Sequence, residues 1–154
     1  MKKIKKIAIT SGYFNPMHVG HINLFREAKK IGDALVVIVN NDEQVKLKGS
    51  VPFMTENERL EVIKDIKHVD DVFLSIDSYR EGSHVPISKS LEAISLKYPD
   101  AELFFAKGGD RNSDNIPESE SKICGQLGIK VVNGVGGGKV QSSSWLIKKS
   151  RETA

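Results

Sequence analysis

The sequence predicts an α/β protein, a doubly wound parallel sheet of five strands with helices on both faces. Short apolar segments alternate with longer amphipathic ones along the whole chain. The run Ala-Leu-Val-Val-Ile-Val at 34–39 is continuously apolar, as expected of a strand buried on both faces of a parallel sheet. No repeat, linker or shift in composition divides the chain, so residues 1–154 are predicted to form one domain.

Local signals place each element. The predicted strands are apolar runs at 7–10, 34–39, 71–76, 102–106 and 129–132. The predicted helices occupy 19–31, 55–66, 87–98 and 116–127, and a last helix begins at about 143. Thr55 and Glu58 form a capping box, and Pro99 stops the third helix. The polar segments 40–52 and 107–115 are predicted loops. Strands separated by helices form right-handed β-α-β units, and ligands bind beyond the carboxyl ends of such strands.

Composition excludes several classes of protein. Hydrophobic residues make up 39% and charged residues 28% of the chain, which is ordinary for a soluble globular domain. The net charge of +3 suits anionic small molecules, whereas the lysines at the two ends are expected to be solvated rather than to form a nucleic-acid patch. A single cysteine, Cys124, forms no internal disulfide, which favours a reducing, cytoplasmic location. The longest apolar run is too short to span a membrane.

The segment from Ser11 to His21 is the most informative part of the chain. A predicted strand ends in a Gly/Asn/Pro turn, and His18 and His21 then open a predicted helix. Helix N-termini attract phosphates, and side chains three residues apart share one helical face. Gly20 between the histidines leaves room for close approach to the backbone. The spacing alone allows a phosphate site, a pair of capping residues, or two metal ligands that lack a third.

Other polar groups follow the predicted strands at the same edge. Lys46 and Lys48 follow the second strand, although lysines on a polar loop are usually solvated. Gly109, Asp110 and Arg111 follow the fourth strand. Ser142, Ser143 and Ser144 precede the last helix, where serine is also a favoured cap. The convergence of these groups at one edge predicts a phosphate-binding site.

These residues resemble the cytidylyltransferase-like nucleotidyltransferases, which carry a His-x-Gly-His signature. The match includes Gly12 to His21, Lys46-Leu47-Lys48-Gly49, Glu58-Arg59, Lys107-Gly108-Gly109-Asp110 and Ser142-Ser143-Ser144, in the family's order. The chain is most similar to heptose-phosphate adenylyltransferase domains and glycerol-3-phosphate cytidylyltransferases. The resemblance implies a Rossmann-like fold that transfers a nucleoside monophosphate from CTP or ATP to a small phosphorylated acceptor of the polyol- or sugar-phosphate type, with release of pyrophosphate.

The resemblance also implies roles for individual residues. Catalytic roles fall to His18, His21 and Lys46; Lys46 is preferred to Lys48 because an extended loop would point the two lysines in opposite directions. Lys48, Arg59 and Arg111 are expected to hold acceptor or phosphate, with a surface ion pair as the simpler interpretation of Arg59. The nucleotide is expected to contact Gly12, Tyr13, Phe14, Asn15, Gly20, Gly109, Asp110, Ser142, Ser143 and Ser144.

Cofactor and partners follow from the same reasoning. With no cluster of aspartates in the sequence, Mg²⁺ is expected to be held mainly by the triphosphate rather than by a protein metal site. The expected partners are the two small-molecule substrates and a second copy of the chain, with neither nucleic acid nor membrane. The residues leave the choice between CTP and ATP open, as well as the acceptor. A nucleotide-binding regulator without turnover is the alternative function.

Overall fold

The structure, a computed structural model, describes residues 5–108, 117–137 and 141–152. It contains a sheet of five strands: β1 (Lys6–Gly12), β2 (Ala34–Val39), β3 (Asp71–Leu74), β4 (Glu102–Gly108) and β5 (Lys130–Val135). Their order is β3-β2-β1-β4-β5, and every neighbouring pair is parallel. The predicted doubly wound, five-stranded parallel sheet is confirmed.

Six helices accompany these strands in the described ranges. They are α1 (Val19–Lys29), α2 (Asp42–Leu47), α3 (Glu56–Lys64), α4 (Ser88–Lys97), α5 (Glu118–Leu127) and α6 (Ser143–Glu152). None of the helices in these ranges is long and apolar enough to cross a bilayer.

The structure differs from the sequence-based prediction in several details: β3 ends at Leu74, and β4 continues through Gly108, where a loop was predicted from residue 107. The segment 40–52 is not a loop throughout, because Asn41 and Gln44 form a reciprocal capping box that starts α2. The fifth strand is also longer than predicted and continues through Gly134 to Val135.

The hydrophobic core consists of two layers, one on each face of the sheet. Alternate residues of β1 point to opposite faces, so Ile7 and Ile9 pack in the layer with α4 and α5, whereas Ala8 packs in the layer with α1 and α3. All six residues of β2 are buried, as its continuous apolar sequence predicts. Since α1 and α3 cover one face and α4 and α5 the other, the helices approach the carboxyl edge of the sheet from both sides.

The direction of winding reverses between β1 and β4, which are adjacent at the centre of the sheet. The Thr10 hydroxyl donates to the carbonyl of Ala106 at 3.0 Å near the ends of these two strands. A crevice beyond this point is where a doubly wound sheet binds its ligands.

Candidate nucleotide-binding site

A cavity of about 790 Å³ opens at the carboxyl ends of β1 and β4. Its walls come from both faces of the sheet and from the starts of α1 and α6. Ten of the predicted site residues line it: Gly12, Tyr13, Asn15, His18, Gly20, His21, Lys48, Ser142, Ser143 and Ser144. The structure therefore brings most of the predicted site together in one place.

His18 and His21 both cap helix α1. His18 is the N-cap residue, and its Nδ1 accepts a hydrogen bond from the backbone N–H of Gly20 at 3.1 Å. Nδ1 of His21 accepts from the backbone N–H of His18 at 3.2 Å. Because a neutral imidazole carries one proton, these two hydrogen bonds place the proton of each ring on Nε2. The capping interpretation thus holds, and it leaves each ring with an Nε2–H donor.

Burial keeps His21 uncharged. Its pKa is lowered to about 3, first by desolvation and then by the neighbouring His18. The two imidazole rings stack with centroids 3.7 Å apart, and Phe14 packs edge-on against His21 with centroids 4.8 Å apart. His21 is therefore a neutral hydrogen-bond donor at physiological pH, suited to phosphate oxygens and not to proton abstraction.

Gly20 is required by the packing of the first histidine. A Cβ at this position would lie 2.8 Å from Cε1 and 3.0 Å from Nδ1 of His18. Any side chain here would push the His18 ring off its capping position. The spacing His-x-Gly-His therefore has a local structural cause as well as a place in the cavity wall.

The three serines build the N-terminus of α6. The Ser142 hydroxyl accepts from the backbone N–H of Trp145 at 3.0 Å and lies 3.1 Å from the Ser144 hydroxyl. The Ser143 hydroxyl donates to the carbonyl of Pro16 at 2.8 Å, which joins α6 to the turn after β1. Two helix N-termini, those of α1 and α6, consequently face one cavity and present the partial positive charge that stabilises bound anions.

Of the two lysines after β2, the structure places Lys48 and not Lys46 in the cavity wall. Lys46 lies on α2, where its side chain is 63% exposed and its Nζ is 3.6 Å from Glu43, and it does not line the cavity. Lys48 follows the helix, lines the cavity, and places its Nζ 4.4 Å from the ring centroid of Tyr13. The argument that preferred Lys46 fails, because residues two apart in an extended segment point to the same side and residues 42–47 are in fact helical.

Arg59 is also not a surface residue or a wall of the cavity. Its side chain is fully buried, and its guanidinium donates to the carbonyls of Tyr13, Asn40 and Met54. It also forms an ion pair with the Asp42 carboxylate at 2.7 Å. Four of its five N–H donors bond to protein oxygens and Arg59 does not line the cavity, so the structure does not support the predicted contact with acceptor or phosphate.

Two predicted nucleotide contacts are internal instead. Phe14 adopts a left-handed backbone with φ of 52°, and its buried ring packs in the core layer of α1. The Asn15 side chain reaches the cavity wall but binds the chain itself: its amide donates to Val51 and its carbonyl oxygen accepts from the N–H of Phe53. Both residues shape the turn after β1 rather than offer groups to a ligand.

Other predicted residues lie elsewhere, and some lining residues were not assigned. Gly109, Asp110 and Arg111 lie outside the described residues. Lys107 and His84 also line the cavity. The sequence placed Lys107 only within the matched segment Lys107-Gly108-Gly109-Asp110, and His84 within the polar segment 78–86, where acceptor contacts or a plain surface loop are expected. The signal for Lys107 was a charged residue continuing the alternation Leu103, Phe105 within an apolar strand.

The side chains that line the cavity are compatible with a metal ion that is bound by the nucleotide rather than by the protein. The described part of the wall contains histidine, lysine, serine and asparagine side chains and no carboxylate. The described ranges also hold no cluster of three or more His, Cys, Asp or Glu side chains placed for a metal ion. Mg²⁺ prefers phosphate oxygens and water, so this wall is compatible with an ion held mainly by a triphosphate.

Comparisons with known proteins identify the family. The family model described as cytidylyltransferase-like matches residues 9–132. A FAD synthase from Thermococcus sibiricus is 40% identical over 116 residues, covering 74% of this chain and 70% of that protein. The bifunctional protein HldE from Desulfatibacillum aliphaticivorans is 35% identical over 83% of this chain, which spans 24% of that larger protein.

A solved structure agrees with these matches. The crystal structure of the lipopolysaccharide core biosynthesis protein from Thermoplasma volcanium is 31% identical, with a TM-score of 0.62 over 85% of this chain and 96% of that one. The fold, the capped His-x-Gly-His turn and the sequence matches lead to the same assignment. The chain belongs to the cytidylyltransferase-like family of nucleotidyltransferases.

Proposed function

We propose that this protein transfers a nucleoside monophosphate from ATP to a small acceptor bearing a phosphate monoester, with release of pyrophosphate. The observation that carries the proposal is the convergence of two neutral Nε2–H donors and two helix N-termini on one cavity. An acceptor phosphate is already an oxyanion, so the transfer needs neither a general base nor a covalent enzyme intermediate. Positioning and charge stabilisation are sufficient.

The residues that line the cavity would have different roles according to their position. His18 and His21 would donate to oxygens of the α-phosphate as negative charge develops there, while the N-terminus of α6 and its serines would hold the departing phosphates. An acceptor oxygen forms a bond to the α-phosphorus as the bond to the bridging oxygen of the β-phosphate breaks. The electron pair of that bond leaves with pyrophosphate. Lys48, which lines the cavity beside Tyr13, would attract the acceptor phosphate.

The relatives support ATP rather than CTP. Several of them are named FAD synthase, and FAD contains an adenosine monophosphate unit joined to a flavin mononucleotide. The sequence alone left both nucleotides open, and the residues after Gly108 that would contact a base lie outside the described ranges. The acceptor is proposed as a class, and flavin mononucleotide joins the polyol and sugar phosphates as a candidate.

Mg²⁺ would accompany the triphosphate. When bound, it would supply neutralisation of charge on the phosphates that leave. The residues of this chain would bind the complex through the donors already described.

Pyrophosphate release tests the proposal. The enzyme would be incubated with Mg²⁺, each of the four NTPs, and an acceptor panel of glycerol 3-phosphate, ribitol 5-phosphate, a heptose phosphate and flavin mononucleotide. We expect release that requires both ATP and one acceptor, and a fall of about 10²- to 10³-fold in His18→Ala, which loses a donor to the transition state. The matched control is His68→Ala, which changes a histidine outside the cavity wall.

Two results would overturn the proposal. Acceptor-dependent release with CTP but not with ATP would overturn the choice of nucleotide. Tight ATP binding with no release from any acceptor would favour the regulator without turnover.

A further inference from the structure

Lys107 and the helices on the face of the sheet opposite α1 form a wall that the proposed reaction has not used. Side chains alternate along β4, so Leu103 and Phe105 pack in the core layer of α4 and α5, whereas Ala106 packs in the layer of α1. Lys107 therefore shares its face with Phe105, and its Nζ lies 4.1 Å from the centroid of that ring. The histidines of α1 and Lys107 consequently reach the same cavity from opposite faces of the sheet.

The charge of Lys107 is balanced within the wall. Its residue is only 3% exposed, and its Nζ lies 3.6 Å from Oε2 of Glu120, which is 3% exposed as well. A buried carboxylate next to a buried ammonium compensates its charge, and an ammonium group is a hydrogen-bond donor. Lys107 and Glu120 are buried, whereas Lys48 is an exposed residue of the cavity wall.

Glu120 also fixes the segment that carries His84. Its Oε1 accepts from the backbone N–H of Ile87 at 3.3 Å, at the end of that segment next to α4. The neighbouring Ser119 hydroxyl donates to the carboxylate of Glu81. One turn of α5 thus holds both Lys107 and the turn that precedes α4.

The turn itself is closed by its own backbone. Glu81 and His84 exchange two hydrogen bonds, of 2.8 and 3.0 Å, and Gly82 supplies the left-handed conformation with φ of 61°. At the start of the segment the buried Asp77 carboxylate accepts from the backbone N–H groups of Lys89 and Ser90 at 2.8 and 3.0 Å. His84, which lines the cavity, is therefore placed by contacts on both sides of its turn.

We propose that Lys107 and His84 determine acceptor specificity by hydrogen bonding to hydroxyl groups on the non-reacting part of the acceptor, and that Glu120 is the positioning residue for both. The inference rests on the proposed function, since it names the subsite that the acceptor occupies. A neutral ion pair and an imidazole suit hydroxyl groups, whereas a second phosphate would require uncompensated positive charge. The acceptor class is accordingly a phosphate monoester with a polyol or sugar body, including the ribityl chain of a flavin mononucleotide.

The test compares an acceptor that bears hydroxyl groups with one that has none. The best acceptor of the panel is compared with pentyl phosphate, in the wild type and in His84→Ala. We expect the KM of the hydroxylated acceptor to rise about tenfold, as for the loss of one hydrogen bond, with the KM of pentyl phosphate and of ATP changed less than about twofold. A purely structural role would change all three.

A second variant tests the ion pair. In Lys107→Met combined with Glu120→Gln, no buried charge is left without its partner, and the oxygen of the introduced side-chain amide can still accept from the N–H of Ile87. We expect the same selective rise in acceptor KM, with His68→Ala as the control and circular dichroism as the check of folding. If the double variant does not fold, His84→Ala decides alone, because its turn lies at the surface.

The outcomes separate the inference from the function on which it rests. If the wild type transfers adenylate but His84→Ala leaves every KM unchanged, or raises the KM of pentyl phosphate equally, the hydroxyl-binding wall is wrong and the proposed function stands. If the wild type releases no pyrophosphate with any acceptor, the proposed function fails and the inference fails with it.

Discussion

At the scale of single residues, the two histidines combine a structural and a chemical role. Their Nδ1 atoms accept the N–H groups at the start of α1, which places the proton of each neutral ring on Nε2. The cap therefore sets the tautomer that a donor to phosphate needs. A phosphate site and a capping pair were alternatives from spacing alone; the geometry shows the capping pair, and it is compatible with the proposed phosphate site.

The neutral state of His21 predicts a dependence of stability on pH. Its pKa in the folded protein is about 3, below the value of 6.5 expected in the unfolded chain. Between these two values the unfolded state binds a proton that the folded state does not. The free energy of unfolding should therefore fall as the pH drops below 6.5, by up to about 1.4 kcal/mol per pH unit.

Urea unfolding of wild type and His21→Asn, measured from about pH 7 down to about pH 5, checks this expectation. Asparagine keeps an oxygen that can accept from the His18 N–H but has no group that titrates in this range. The variant should be less sensitive to pH than the wild type. Equal slopes for the two proteins would show that His21 is not the group responsible.

At the scale of elements, the strands were easier to predict than the helix beside the site. β2 is an unbroken apolar run buried on both faces, and such a run indicates a central strand in an α/β chain. α2 has only six residues, too short for helical periodicity to show, so its sequence was interpreted as a loop. The capping pair Asn41 and Gln44 was the one local signal of it.

The lack of a local sequence signal also affected the predicted positions of the two lysines and of Arg59. Which lysine faces the cavity depends on whether residues 42–47 are helical, and the sequence pattern did not decide that. Arg59 lies in a correctly predicted helix, yet its environment comes from three other segments that pack around it. Tertiary contacts, which no local pattern records, decided these cases.

Arg59 joins several elements around the site through its hydrogen bonds. Its guanidinium connects the turn after β1 through Tyr13, the end of β2 through Asn40, and α2 through Asp42. Arg59→Met would leave a partly buried carboxylate and these carbonyls without their donors. We expect the free energy of unfolding to fall by about 3–5 kcal/mol, the usual cost of removing one partner of a buried pair.

Chemical denaturation of Arg59→Met measures this loss, with Arg26→Met on the exposed side of α1 as the control. Arg26 bonds only at the surface, so its replacement should change stability by less than about 0.5 kcal/mol. If Arg59→Met keeps its stability but no longer binds ATP, the structural role is contradicted and the predicted contact of Arg59 with phosphate is supported instead.

At the scale of the whole molecule, the sheet brings two half-sites together. Helices α1 and α6 present donors from one side of the carboxyl edge, and Lys107 with the turn at His84 closes the other side. Because the two substrates of the proposed reaction are both anions, binding them to separate walls would reduce competition for the same groups. The order β3-β2-β1-β4-β5 places the reversal of winding between those walls.

Metal removal should therefore affect turnover without affecting the free protein. The described part of the cavity wall offers no carboxylate, so we expect EDTA to abolish pyrophosphate release and added Mg²⁺ to restore it. Without nucleotide, EDTA and millimolar Mg²⁺ should give the same Tm within about 1 °C, since the described residues include no cluster of ligands placed for a metal ion. ATP with Mg²⁺ at about 100 times its Kd should instead add about 2.7 kcal/mol of stability, and EDTA should remove most of that gain. Thermal unfolding under the four conditions measures these effects, and a rise in Tm with Mg²⁺ alone would place metal ligands on the protein itself.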